Sequence, residues 1–403
     1  MNEVVLPDLQ SVLRQVMGND LIVVNFSTEL LLPPGENYGS TMLSVVAEIK
    51  KNNANKTKSE QLYLVAKMLP PTDFQREMFD SGFTFRKECF LYTDILPRYK
   101  KLEIEFGIKK NEIFDIGAKF YGAKISSSPD IDFDEDAVIL LENLKVRGYY
   151  TGDRKLGLDL EHSMMAIKAM AKFHALGMVM KYKYPEEFQH LKERCKCLKL
   201  NPEAFEDMKD SFMDTIRQDS VMGKYTDKIF PLLEANTDNW TGTPNEPWST
   251  IIHADFWVNN MMFHKNSNQN VDDIKFVDFQ NYLFQNPINE LIFFIGASIQ
   301  TDLIANNLDR LLNFYYDSFI NIMTTMNCDI SEFSRDNFHE RIKIDAHKEF
   351  SHCAFILKIL TIDIETDGVE ATKLETMEFG SANPRFYNRM RQLVLIFIDK
   401  EWI

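Results

Sequence analysis

The side chains best suited to chemistry stand together at Ile251-Ile252-His253-Ala254-Asp255-Phe256-Trp257-Val258-Asn259-Asn260-Met261-Met262-Phe263. Asp255 follows His253 by two residues, and Asn260 lies five beyond the aspartate. In a kinase catalytic loop this spacing lets the aspartate accept the proton of an attacking hydroxyl while the asparagine oxygen holds magnesium. Ile251-Ile252 before the loop and Met261-Met262-Phe263 after it supply the buried segments that such a loop needs. Further on, Ile274-Lys275-Phe276-Val277-Asp278-Phe279-Gln280 alternates like a strand and delivers Asp278 at its end. A carboxylate there bridges magnesium to the β- and γ-phosphates. His-x-Asp-x4-Asn recurs by chance in unrelated chains. The strand-borne Asp278 beyond it narrows the choice between a phosphotransfer site and an ordinary buried turn with polar caps.

The elements that must position these residues come earlier in the chain. Residues 1–20 read as a short helix with Leu9, Val12, Leu13, Val16 and Met17 on one face. Strands are expected over 21–32 and 42–49. Between them lies Pro33-Pro34-Gly35-Glu36-Asn37-Tyr38-Gly39-Ser40-Thr41, which reads either as a phosphate-covering loop or as a plain hairpin turn. In the first reading Gly35 and Gly39 let backbone N–H groups approach a nucleotide, Ser40 adds a donor, and Asn37 and Tyr38 belong to the same contact stretch. In 62–70 one lysine, Lys67, interrupts an apolar strand. Buried there it needs an anionic partner, and Glu88, on a helix expected over 83–96, fits; at the end of an edge strand it would point to water. Two further strands are expected over 113–124 and 136–141. The second runs into Glu142-Asn143-Leu144, a connection whose backbone would serve as a hinge and pair with an adenine edge. From 157 the character changes. Residues 158–180 form an amphipathic helix on which His174 reads as a packed core histidine, and the chain after Asp278 reads as helical to its end.

With 403 residues, 45% of them hydrophobic, the chain can bury a large core and divides more naturally into two units than one. We place these at residues 1–143 and 144–403. No apolar run reaches the length of a membrane span, and the start lacks the basic and apolar regions of a secretion leader, so a cytoplasmic location is expected. Cys89, Cys195, Cys197, Cys328 and Cys353 are scattered and odd in number, as expected of free thiols. A net charge of −15 argues against nucleic acid as a partner. It leaves room for a small acceptor and for ATP, whose charge magnesium and one or two lysines offset locally. No obligate protein partner is evident.

In this order the blocks resemble the ecdysteroid kinase-like family, within the choline kinase and aminoglycoside phosphotransferase branch of the protein kinase-like fold. The resemblance rests on Pro34-Gly35-Glu36-Asn37-Tyr38-Gly39-Ser40, Val65-Ala66-Lys67-Met68-Leu69-Pro70, Phe85-Arg86-Lys87-Glu88 and Leu140-Leu141-Glu142-Asn143-Leu144. It is strongest in Met170-Ala171-Lys172-Phe173-His174-Ala175, His253-Ala254-Asp255-Phe256-Trp257-Val258-Asn259-Asn260 and Val277-Asp278-Phe279-Gln280. It implies an α+β, bilobal fold with a small antiparallel-sheet N-lobe and a large, mainly helical C-lobe. It further implies Asp255 as catalytic base, Asn260 and Asp278 on Mg2+, Lys67 with Glu88 ordering the phosphates of ATP, and a steroid-like or other lipophilic alcohol as acceptor. A cationic acceptor of the choline or aminoglycoside type, or a binding protein that sequesters a hydrophobic ligand, are the alternatives. Three residues depart from the family pattern: Ala254 where glycine is usual, Asn143 where aspartate is usual, and Glu290 where an aspartate supports the catalytic loop.

Overall fold

The computed structural model describes residues 6, 8–32, 39–51, 59–128, 131, 133–198, 203–234, 242–362 and 383–403. It is an α+β fold, an antiparallel sheet followed by a mostly helical remainder. The sheet comprises β1 (Leu21–Leu30), β2 (Thr41–Lys51), β3 (Glu60–Met68), β4 (Phe120–Lys124) and β5 (Val138–Glu142) in the order β1-β2-β3-β5-β4, each neighbouring pair antiparallel. Along β2, Leu43, Val45, Ala47 and Ile49 are buried and the residues between them half-buried, the period of two that puts alternate side chains on one face. That face is covered by α1 (Leu9–Met17), which buries Leu9, Val12 and Leu13 and starts at Asp8, whose carboxylate accepts a hydrogen bond from the Ser11 amide. Gly122 of β4 has φ +131°, and a Cβ there would stand 2.4 Å from the Val12 carbonyl, so glycine permits the close approach of α1.

The other face of the sheet belongs to the main core. Ile139 and Leu141 of β5 share one apolar cluster with Phe85 and Leu91 and with the helices of the remainder. β3 is followed by α2 (Asp73–Met78), α3 (Ser81–Phe90) and α4 (Leu96–Glu105). Between α3 and α4 the helix widens into a π-turn at Leu91–Ile95, just before Pro97, which has no N–H to return to the preceding turn. The strand expected over 113–124 forms only over 120–124. Its first half leaves the sheet because a distant strand captures it: Gly117 bridges to Phe276, and the Phe276 amide donates to the Ile116 carbonyl at 2.8 Å.

The remainder contains β6 (Tyr150–Thr151), α5 (Leu160–Lys183), α6 (Pro185–Lys192), α7 (Glu203–Gln218), α8 (Thr226–Glu234), β7 (Thr250–Ile252), β8 (Met261–Lys265), β9 (Val271–Phe276) and β10 (Leu283–Gln285). After these come α9 (Pro287–Ser298), α10 (Thr301–Thr325), α11 (Arg335–Asp345), α12 (Phe350–Thr361) and α13 (Pro384–Asp399). α5 and α10 pack side by side as the scaffold. Two small sheets stand on it, β6-β8-β9 and the ribbon β7-β10. The β10 strand interrupts a stretch read as helical from the sequence, because Phe284 pairs with Ile251 and closes the lead-in to the catalytic loop. Among the described residues no helix is long and apolar enough to cross a membrane. The five cysteines are free thiols.

Candidate active site

β7 enters the 253–260 loop and β8 leaves it, so both ends are anchored in pairing strands. Within it Ala254 has φ +64°, where the Cβ of an L-residue crowds the next carbonyl. A buried carboxylate holds the loop in that shape. Glu290 Oε1 accepts from the Ala254 amide at 2.5 Å, and Oε2 accepts from the His253 amide at 3.3 Å and from His174 Nε2 at 2.6 Å. His174 Nδ1 in turn lies 2.9 Å from the Tyr315 hydroxyl. His174 is therefore a packed, bonded core residue, and Glu290 spans both amides of the loop.

His253 ties this loop to the strand that carries Asp278. Its Nε2 donates to the Val277 carbonyl at 3.0 Å, and the Val277 amide donates to the Asn260 carbonyl at 3.0 Å. Burial lowers the pKa of the ring and keeps it neutral, which agrees with a Nδ1 that has no partner. Immediately afterwards Asp278 adopts φ +60°, a conformation aspartate tolerates better than most residues, and turns its carboxylate toward the sheet.

Asp255 and Asp278 thus stand near each other. Asp255 Oδ2 accepts from Asn260 Nδ2 at 3.0 Å and from Asn281 Nδ2 at 3.4 Å, and Asn260 Nδ2 also reaches the Asp255 carbonyl at 2.9 Å. Burial, and then the Asp278 carboxylate alongside, push the Asp255 carboxyl up to about 7, within the range where a general base works at neutral pH. From the sheet, Lys67 reaches Glu88 Oε2 of α3 at 2.5 Å, Asp278 Oδ1 at 2.6 Å and Gln280 Oε1 at 3.4 Å. Lys67 and Glu88 are 2% and 0% exposed but Asp278 is 24% exposed, so the ion pair is sealed on one side and open on the other. Burial alone would lower the Lys67 pKa; Asp278 and Glu88 outweigh it and raise it, so the ammonium stays charged.

Of the phosphate-covering stretch, Gly35, Asn37 and Tyr38 lie outside the described residues. Gly39 borders Gln280, whose Nε2 would be 3.0 Å from a Cβ there, and Ser40 is buried with its hydroxyl 3.5 Å from the Met42 sulfur. β5 ends at Glu142 and runs into Asn143 and Leu144 as expected, yet the Glu142 amide is taken up by the Lys119 carbonyl and the Asn143 amide by the Tyr63 carbonyl. The Glu142 carboxylate turns to Arg147 at 3.1 Å, and the Asn143 side chain caps the Lys145 amide and donates to Ser44. Neither of those two amides is open to an adenine edge. The structure thus brings Lys67, Glu88, Asp255, Asn260 and Asp278 together and sets Glu142 and Asn143 to sheet pairing. Gln280 and Asn281 are site residues that the spacing argument passed over. Their only signal was adjacency to Asp278.

A sequence model of the ecdysteroid kinase-like family matches residues 34–328. No curated protein matches the chain in sequence. Among solved structures, an ethanolamine kinase of Plasmodium vivax aligns at 11% identity and a TM-score of 0.43, covering 94% of this chain and 83% of that one. A choline kinase of Cryptosporidium parvum Iowa II aligns at 10% identity and a TM-score of 0.46, covering 94% of this chain and 91% of that one. The family match spans well over half of the chain and every block of the site: the protein is a small-molecule kinase and belongs to the ecdysteroid kinase-like family.

Proposed function

We propose that the protein transfers the γ-phosphoryl group of ATP, with Mg2+, to a hydroxyl of an ecdysteroid or a similar lipophilic alcohol. The observation that carries this reading is the charged Lys67, bound between Glu88 and Asp278, with the Asn260-held Asp255 beside it. Residues 1–143 and 144–403 act in it as the two lobes.

The residues present fit a magnesium ion. Two carboxylates close enough to raise the pKa of one of them make a site with surplus negative charge, and a divalent cation relieves it. Asn260 spends its amide nitrogen on Asp255, which leaves its oxygen for a metal. Asp278 and Asn260 would hold the ion, since magnesium takes one or two protein oxygens and completes its shell with water and phosphate. When bound, it neutralises charge on the phosphates.

The chain's own residues then divide the work. Lys67 binds the phosphates, and Glu88 fixes the lysine. Asp255 Oδ2 is occupied by two amides, so Oδ1 faces the acceptor and takes its proton as the hydroxyl oxygen bonds to the γ-phosphorus and the bond to the β–γ bridging oxygen breaks. Next to the base, Ala254 packs in a small apolar cluster with Ile252 and Leu283; the lipophilic acceptor is the reading that the family match supports. The charge of −15 favours a cationic acceptor as the second reading. The test is mass-spectrometric detection of phosphate gained from Mg·ATP by a panel of ecdysteroids, sterols, choline and aminoglycosides. Gain on an ecdysteroid is expected. Gain on choline alone supports the second reading, and no gain on any alcohol contradicts both.

A further inference from the structure

In the chemistry above only the nitrogen end of the Asn281 amide has a task, on Asp255 Oδ2. The residue closes the 3-10 turn Phe279–Asn281 that follows Asp278, and its Nδ2 faces Asp255 Oδ2 at 3.4 Å. The amide cannot be turned over, because its oxygen would then face a carboxylate oxygen and two acceptors repel. With the nitrogen committed, Oδ1 is the remaining end of the group. It is shielded from water and has no hydrogen-bond partner. A buried carbonyl oxygen without a donor is costly, and such an atom beside a reacting centre is a place where a ligand supplies what the protein does not. The nitrogen and oxygen of one amide are neighbours, so this acceptor lies a few ångströms from the carboxylate that receives the substrate proton.

We propose that Asn281 selects the acceptor: Nδ2 steadies Asp255, and Oδ1 accepts a hydrogen bond from a second donor group next to the hydroxyl that is phosphorylated. This rests on the phosphotransferase reading above. The chemical class it defines is an alcohol with a neighbouring O–H or N–H, such as a vicinal diol or a primary amino alcohol. An alcohol whose neighbouring group has no hydrogen to give, an ether or a quaternary ammonium, leaves Oδ1 orphaned and is rejected, as sites built to hydrogen-bond one group reject analogues that lack it. The transfer itself is unchanged: the proton still goes to Asp255, and Asn281 contributes only its two hydrogen bonds.

The test uses the full-length enzyme with Mg·ATP and two matched pairs of alcohols. One pair is an ecdysteroid bearing a vicinal diol and the same molecule with one hydroxyl of that diol O-methylated. The other is ethanolamine and choline. Wild type is expected to favour the donor-bearing member of at least one pair by about 5- to 100-fold in kcat/KM, equivalent to about 1–3 kcal/mol; which pair responds says whether the donor is a hydroxyl or an ammonium. Asn281→Leu is expected to slow both members through loss of the Nδ2 bond to Asp255 and the donor-bearing member by the further factor, which brings the ratio to within about twofold of unity. A merely structural role would slow both members alike, and a steric penalty from the added methyl would persist in the variant. Should Asn281→Leu not fold, Asn281→Ala makes the same comparison. A ratio that survives the substitution, or a wild type that discriminates within neither pair, overturns this inference and leaves the phosphotransferase reading standing. Transfer to none of the four alcohols overturns both.

Discussion

Replacing Glu290 with glutamine leaves its shape and removes its charge, which probes how the catalytic loop is held. Three N–H donors converge on the two carboxylate oxygens: Ala254 on one, His253 and His174 on the other. Glutamine offers one oxygen and one NH2 group. Whichever way the amide turns, it meets a backbone N–H with its own N–H, so the Ala254 or the His253 amide is orphaned inside the protein. That costs about 1–3 kcal/mol, and the bonds that survive lose charge assistance worth about 1 kcal/mol each. The sum is about 2–5 kcal/mol. Ala254 also holds a left-handed backbone that costs about 1–2 kcal/mol, and a weakened clamp lets it relax and carry Asp255 with it. A displacement of 1 Å at a reacting group lowers turnover by about 10²-fold. Glu290→Gln is therefore expected to lose about 2–5 kcal/mol in urea unfolding and about 10²-fold in kcat. Its ATP affinity by calorimetry should stay within about threefold, because Lys67 and Glu88 are held by other contacts. A loss below about 0.5 kcal/mol with kcat within twofold of wild type would refute the clamp.

Two further outcomes follow from the same geometry. Ala254→Gly removes the Cβ from a backbone at φ +64° and should raise stability in urea unfolding by up to about 1 kcal/mol, after glycine's greater entropy loss, with kcat retained; a clear destabilisation would show that the loop is unstrained. Because the Asp255 carboxyl is pushed up to about 7 by burial and by Asp278, and a base accepts a proton only when ionised, kcat/KM should rise with pH through about 7 and level off above it. Saturating Mg2+ offsets the Asp278 charge and should move that midpoint to lower pH. A profile flat from pH 5 to 9 at low Mg2+ would remove Asp255 from the role.

The parts of the site legible in the sequence are those bound by short-range constraint or by a conflict that demands a partner. Asp255 and Asn260 lie on one loop and bond each other directly. Asp278 follows by two residues a strand paired in register with the strand leaving that loop. Lys67 in an apolar strand had to find a carboxylate, and Glu88 supplied it. What escaped depends on distant chain. Residues 113–119 have the apolar pattern of a sheet strand, but Phe276 takes them. Glu142-Asn143-Leu144 reads as a hinge whose backbone pairs with an adenine edge, and that the Glu142 and Asn143 amides bond the Lys119 and Tyr63 carbonyls is set by chain distant from that stretch. Asn281 carries no periodicity and no charge conflict, so only its distance to Asp255 reveals it. Glu290 stood out as one methylene longer than the usual aspartate, and its triple engagement became visible only once α5 and α9 met around the loop.

The most direct test of the account is a single-turnover comparison of wild type and Asp255→Asn with Mg·ATP and the best alcohol of the panel, with ATP affinity measured on the same samples. Asparagine keeps the volume of the side chain and cannot take the proton. The account predicts a phosphoryl-transfer rate lower by about 10²-fold or more, the worth of a positioned general base, with the ATP dissociation constant within about threefold of wild type. An Asp255→Asn enzyme that transfers phosphate at the wild-type rate would contradict it.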